Sequence, residues 1–255
     1  MQAEVKGSTL PVLEVILDQG EAVVSNHGEL SWMTPNVQMS QTTAMGGGQQ
    51  QSGGGLLAGL KRVVSGTSIL LTRYEAAGGQ GMVAFAAKMP GRIFPVEVGA
   101  AGGFLVHRHG WVCGTPGVNA TVGFQQSLGG MLFGGEGFIL QRLEGQGTAW
   151  VELSGEITTY DLGPGQTMLV HPGHVGVFQD SVSFQVTRVP GIANRYFGAD
   201  GHWLVALTGP GKIWLQSMPL PLLAAALRPF LGNEGMQDAA VGGAAGGILG
   251  SILRN

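Results

Sequence analysis

Apolar positions recur at every second residue along much of this chain. Val182, Phe184 and Val186 alternate with Ser183, Gln185 and Thr187. Ala149, Val151 and Leu153 alternate with Thr148, Trp150 and Glu152, and Ile213 and Leu215 with Trp214 and Gln216. Successive side chains of a strand point to opposite faces, so a period of two predicts strands with one buried face. Pro-Gly pairs at 90–91, 116–117, 164–165, 172–173, 190–191 and 210–211 separate such runs. Proline presets a negative φ and glycine accepts a positive one, which predicts type II turns there. Many short strands closed by turns predict an all-β fold: a sandwich, a barrel or a jelly-roll-like β-helix.

The pattern also repeats at longer range. Gly91-Arg92-Ile93 and Gly155-Glu156-Ile157 are 64 residues apart, as are Val106-His107 and Val170-His171. Gly79-Gln80-Gly81 matches Gly145-Gln146-Gly147, and Arg73-Tyr74-Glu75 matches Arg142-Leu143-Glu144. Gly209-Pro210-Gly211-Lys212-Ile213-Trp214 resembles Gly145-Gln146-Gly147-Thr148-Ala149-Trp150. These matches predict a duplicated β-unit within a body at 1–218, with approximate copies at 66–130 and 131–190 and a partial third at 205–218. Two segments break the strand pattern. The Gly/Gln tract at 45–55 has no side chains to build a core and predicts a mobile loop, followed by a short amphipathic helix at 56–64. From 219 to 255 the chain changes character again: Leu222–Leu231 predicts a helix, and Ala239–Leu253 a small-residue, Gly-rich tail.

Composition narrows the class. Charged residues make up only 11% of the 255, against 44% hydrophobic, with 46 glycines and a net charge of −3. That balance excludes a charge-rich disordered chain and argues against a polyanionic partner, so no nucleic acid is expected. The single cysteine, Cys113, rules out an internal disulfide and lies in an apolar run, Trp111-Val112-Cys113, that reads as a buried strand. Neither a secretory h-region nor an Arg-rich presequence opens the chain, and no apolar run is long enough for a bilayer-spanning helix, so a cytoplasmic location is expected.

Chemistry-bearing motifs are sparse. His107 and His109 form His-x-His, which on a strand aims both rings at one face, and His171 and His174 flank Pro172-Gly173. Convergence of these four would suit zinc, iron or copper in a cupin-like site. The cupin pattern, however, wants a glutamate shortly after the second histidine, where Gly110-Trp111-Val112-Cys113-Gly114 stands. It also wants Pro-x-Gly-x-x-His, where Pro172-Gly173-His174 stands. A near P-loop, Gly54-Gly55-Leu56-Leu57-Ala58-Gly59-Leu60-Lys61, has Leu60 where lysine is required. The expectation is therefore no catalytic, cofactor-binding or metal residues and no cofactor. The cupin-like metal protein or enzyme is the alternative.

An ordered series of phrases carries a family resemblance. They are Gly28-Glu29-Leu30-Ser31-Trp32-Met33, Gly59-Leu60-Lys61-Arg62, Pro90-Gly91-Arg92-Ile93, Gly135-Glu136-Gly137-Phe138, Gly145-Gln146-Gly147-Thr148-Ala149-Trp150, His171-Pro172-Gly173-His174-Val175 and Gly209-Pro210-Gly211-Lys212-Ile213-Trp214-Leu215-Gln216-Ser217. Together they resemble the altered inheritance of mitochondria protein 24 family, in a bacterial-type form. The resemblance implies repeated β-units like those of the tryptophan RNA-binding attenuation protein (TRAP), related to double-stranded β-helices, and a tie to membrane organisation. It implies no catalytic residues. The resulting expectation is a non-enzymatic β-structured scaffold that forms a homo-oligomer, a ring or a trimer. Docking to a membrane or protein partner would use the Gly-rich loop and the tail. A surface this poor in charge, with strand edges to cover, is what burial against identical subunits would resolve.

Overall fold

A computed structural model of the chain describes residues 1–43, 70–99, 102–126, 138–188, 203–227 and 230. The predicted loop at 45–55, helix at 56–64 and tail at 239–253 lie outside these residues, as does Pro190-Gly191. Within them the protein is almost entirely antiparallel β, as the period-two pattern requires.

The strands fall into three successive sets of six. The first is β2 (Val12–Leu17), β3 (Ala22–Asn26), β4 (Trp32–Met33), β5 (Val37–Thr43), β6 (Leu70–Ala76) and β7 (Gly81–Ala86). The second is β8 (Gly91–Val98), β9 (Phe104–His107), β10 (Trp111–Gly114), β11 (Val118–Gln126), β12 (Phe138–Gly145) and β13 (Gly147–Ser154). The third is β14 (Ile157–Leu162), β15 (Thr167–Val170), β16 (Val175–Gln179), β17 (Ser183–Arg188), β18 (Trp203–Thr208) and β19 (Gly211–Gln216). An additional strand, β1 (Gln2–Lys6), pairs with β2, and one helix, α1 (Leu220–Leu227), follows β19.

Four sheets carry these strands: β1-β2-β7-β4, β5-β6-β3-β10-β13-β8, β11-β12-β9-β16-β19-β14 and β15-β18-β17. In every set the first, third and sixth strands lie together, and so do the second, fourth and fifth. Each six-stranded sheet thus joins half of one unit to half of the next, through the seams β3·β10 and β9·β16. The repeat offset of 64 seen in the sequence is the spacing of the second and third units. Units drawn at 66–130 and 131–190 have the same period in another phase; beginning at 12, 91 and 157 puts six strands around one core. Segment 205–218 supplies the last two strands of the third unit.

Three cores alternate with the sheets. Leu13, Val15, Leu17, Tyr74, Val83 and Phe85 build the first, with Tyr74 and Phe85 edge to face. Val96, Val98, Trp111, Leu143, Val151 and Leu153 build the central one. Leu105, Leu140, Phe178, Val205, Leu207 and Ile213 build the third. Phe184, on one of the alternating runs read from sequence, packs against that third core.

Three local expectations change. Strand β13 has both faces buried: Trp150 and Glu152 are as enclosed as Ala149, Val151 and Leu153, because its sheet is sandwiched between two others. Among the described Pro-Gly pairs, Pro164-Gly165 fits the type II geometry, with Gly165 at φ +73° inside a turn closed by Gln166 N–H donating to Gly163 O. Pro116-Gly117 and Pro172-Gly173 turn without a positive φ at glycine, the latter as a single 3-10 turn. Their glycines meet another need. A Cβ on Gly173, for example, would press on Pro219 at 3.2 Å. The C-terminal helix begins two residues earlier than predicted and is described as far as Leu227.

Candidate functional site

Strand β9 ends at His107 and turns tightly through Gly110, whose N–H donates to His107 O at 2.8 Å, before β10 begins. A Cβ at Gly110 would come within 2.6 Å of Val106 Cγ1 and 2.8 Å of the His107 ring, so a larger residue would displace that ring or its neighbour. The turn places His107 Nε2 3.3 Å from the carbonyl oxygen of Glu152 on β13. Burial, then the neighbouring His109, pull the His107 imidazole down from 6.5 to about 4. His109 is likewise lowered to about 4, by burial and then by Arg108. Both rings are therefore neutral at physiological pH.

The Glu152 side chain is itself buried in an unusual setting. Its carboxylate accepts the N–H of Lys88 at 2.9 Å, binding the loop between the first two units to the middle of β13. Lys88 Nζ in turn pairs with Glu29 Oε1 at 2.6 Å. Burial raises the Glu152 pKa, partly offset by the backbone N–H groups of Lys88 and Met89 and by the Lys88 charge. One unit further on, Gln216 takes the same place on β19. Its Oε1 accepts from Ser154 N at 3.1 Å and its Nε2 donates to Gly173 O at 3.0 Å. A buried polar residue on the sixth strand thus clamps the loop that links two units, once as Glu152 and once as Gln216.

The second histidine pair sits beside this second clamp. His174 Nδ1 lies 2.7 Å from Gln216 O, and His171 Nδ1 accepts the Gly173 N–H at 3.3 Å. Their rings meet edge to face at 5.8 Å, and burial lowers the His171 pKa. His107 and His171 are equivalent residues of successive units, the first ending β9 and the second following β15, which belong to different sheets. That equivalence keeps the four histidines from converging on one cation. Among the described residues no three His, Cys, Asp or Glu side chains come together to hold a metal. The cupin-like alternative has no support in this geometry, since the ring nitrogens named above are already engaged with the backbone.

Cys113 is fully buried in β10, as read from the sequence, and burial raises its thiol pKa well above the usual value. The clamps were missed in the sequence. The available signal was a single polar residue in phase on each of two apolar strands, Val151-Glu152-Leu153 and Leu215-Gln216, with Glu152 otherwise one acid among many. Among the described residues, no helix is long and apolar enough to cross a membrane.

No curated protein matches this chain. A crystal structure of a protein from Streptococcus pyogenes is similar over 90% of this chain and 99% of its own, at 23% identity and a TM-score of 0.70. At that identity the likeness concerns the fold. The model of the family described as "Mitochondrial biogenesis AIM24" matches residues 3–218, which span all nineteen strands among the described residues except the first residue of β1. The chain belongs to the AIM24 family.

Proposed function

We propose that this AIM24-family protein is a non-enzymatic scaffold that works by self-association and by docking to a membrane or protein partner. The observation that carries the reading is the use made of its chemistry-bearing residues. Glu152 and Gln216 bond the segment that leads in from the preceding unit, and His107 and His174 meet backbone carbonyls within their own units. What such a body offers to other molecules is its repeated surface. The all-β fold and the family are those the sequence resemblance anticipates, and the scaffold role extends them. Sedimentation velocity on the untagged chain at micromolar concentration tests the reading: assemblies of several chains are expected, and a single chain overturns it.

The docking arm rests on a separate observation. Helix α1 is Leu220-Pro221-Leu222-Leu223-Ala224-Ala225-Ala226-Leu227, with Leu227 and the nearby Phe230 exposed. An apolar segment with exposed side chains of this kind suits a membrane surface or an apolar groove on a partner. Truncation after Ser217 should reduce co-fractionation with membranes; unchanged fractionation removes this arm of the proposal.

A further inference from the structure

The two terminal sheets are the two halves of the interior ones. An interior sheet joins the second, fourth and fifth strands of one unit to the third, sixth and first strands of the next. The last sheet, β15-β18-β17, is the leading half alone; the first sheet, β1-β2-β7-β4, is the trailing half with β1 added. Among the described residues β15 pairs only with β18, and β4 only with β7. Their counterparts β3 and β9, and β10 and β16, pair on both sides.

Registers make the equivalence residue-specific. Val24 lies opposite Arg73, Leu105 opposite Arg142 and Leu169 opposite Ala206, on matching strands of the three units. On the other half, Met33 lies opposite Val83, Gly114 opposite Ala149 and Phe178 opposite Ile213, each two residues beyond the glycine that opens the sixth strand. At the interior seams Gly114 faces Val24 and Phe178 faces Leu105. The missing third seam would set Met33 against Leu169 and Trp32 against Val170.

Exposure marks the same residues. Leu169 is 59% exposed, whereas its counterparts Val24 and Leu105 are at 6% and 2%. Trp32 is 46% exposed, whereas Cys113 and Val177 are at 0%. Four of the other edges carry residues that discourage pairing: Glu4 and Lys6 on β1, Arg92, Pro95 and Glu97 on β8, Asp161 on β14 and Arg188 on β17, whereas β5 and β11 carry no charge and no proline. Thr167-Met168-Leu169-Val170 and Trp32-Met33 carry no charge and no proline. Strand β4 also extends over only two residues, where β10 has four and β16 has five, as expected of a strand lacking one partner.

We infer that β15 of one copy pairs antiparallel with β4 of a second copy, completing a composite sheet and joining chains head to tail. This deepens the scaffold reading by naming the partner and the edges. Such a contact is heterologous: it closes into a ring if the rotation per copy permits, and otherwise propagates as a filament.

The test uses Leu169→Arg and Trp32→Arg in the full chain, each blocking one edge. Both side chains are exposed in the single chain, so circular dichroism should keep its β signature; Leu169→Asn and Trp32→Ser serve in place of any arginine variant that unfolds. Wild type should sediment as assemblies and each variant alone as one chain. An equimolar mixture of the two should form a two-chain species, because each retains the edge the other lacks. A self-paired edge would instead leave one variant dimeric and give no new species on mixing, which overturns the inference. Wild-type assembly that neither variant disturbs overturns it too while leaving the scaffold reading intact, and a monomeric wild type removes both.

Discussion

Leu105 and Leu169 are the same position in successive units, and truncating each to alanine separates a core residue from an edge one. Leu105 is almost wholly enclosed in the third core. Removing three carbons there forfeits ~2.4 kcal/mol at ~0.8 kcal/mol per buried CH₂. The cavity left behind brings such Leu→Ala changes to about 2.7–5.0 kcal/mol. Leu169 keeps 59% of its surface in solvent, so two-fifths of the transfer term is at stake, about 1 kcal/mol at most. Both variants are best made in the Trp32→Arg background, where assembly does not add to the measured stability. Urea unfolding followed by tryptophan fluorescence reads the difference. With a slope of about 3 kcal/mol/M, the midpoint should fall by about 1 M or more for Leu105→Ala and by about 0.3 M for Leu169→Ala. Equal shifts, or a larger one at Leu169, would refute the assignment of Leu169 to an open edge.

Other outcomes follow from the clamps and the packing. The unfolded chain protonates His107 near 6.5 and the folded one only near about 4, so its contribution to stability is present above 6.5 and is lost as pH falls through that window. His107→Asn, which places there the residue the first unit has as Asn26, should recover up to about 3 kcal/mol of that acid loss. A Tm difference between pH 7 and pH 5 no smaller than that of wild type would contradict the burial of the ring. Gly176→Ala puts a Cβ 2.7 Å from Leu153 and 2.8 Å from Trp214 O, and should cost about 1–3 kcal/mol; an unchanged urea midpoint would show that the β16 seam is loose. Cys113 should resist a thiol-labelling reagent in the native protein and react fully in denaturant, whereas rapid native labelling would show that β10 opens.

Local alternation and the glycine-led repeats made the strands and their period readable in advance. Val182, Phe184 and Val186 marked β17, and Gly145 and Gly209 marked the entries to β13 and β19. The first unit was harder to see because Ala84 and Ala86 stand where later units have Trp150 and Glu152, or Trp214 and Gln216. Residues 44–69 also intervene between β5 and β6 and spoil the spacing. Burial of both faces of β13 was hidden for another reason: the enclosing sheets come from strands far away in sequence. The site was legible only in part. The histidines stood out by type, but whether they converge depends on which sheet each strand joins. Glu152 and Gln216 act through backbone groups, which leave no side-chain motif to recognise.

Because each interior sheet belongs to two units, the chain has no point at which it divides into self-sufficient pieces. A nick in the turn at Gly155-Glu156 would leave an N-terminal fragment lacking strands β14, β16 and β19 along its last sheet, and a C-terminal fragment lacking the surface on which its own sheets rest. Two such fragments are complementary by construction, which makes this turn the natural place to split the protein for reconstitution from separately produced halves.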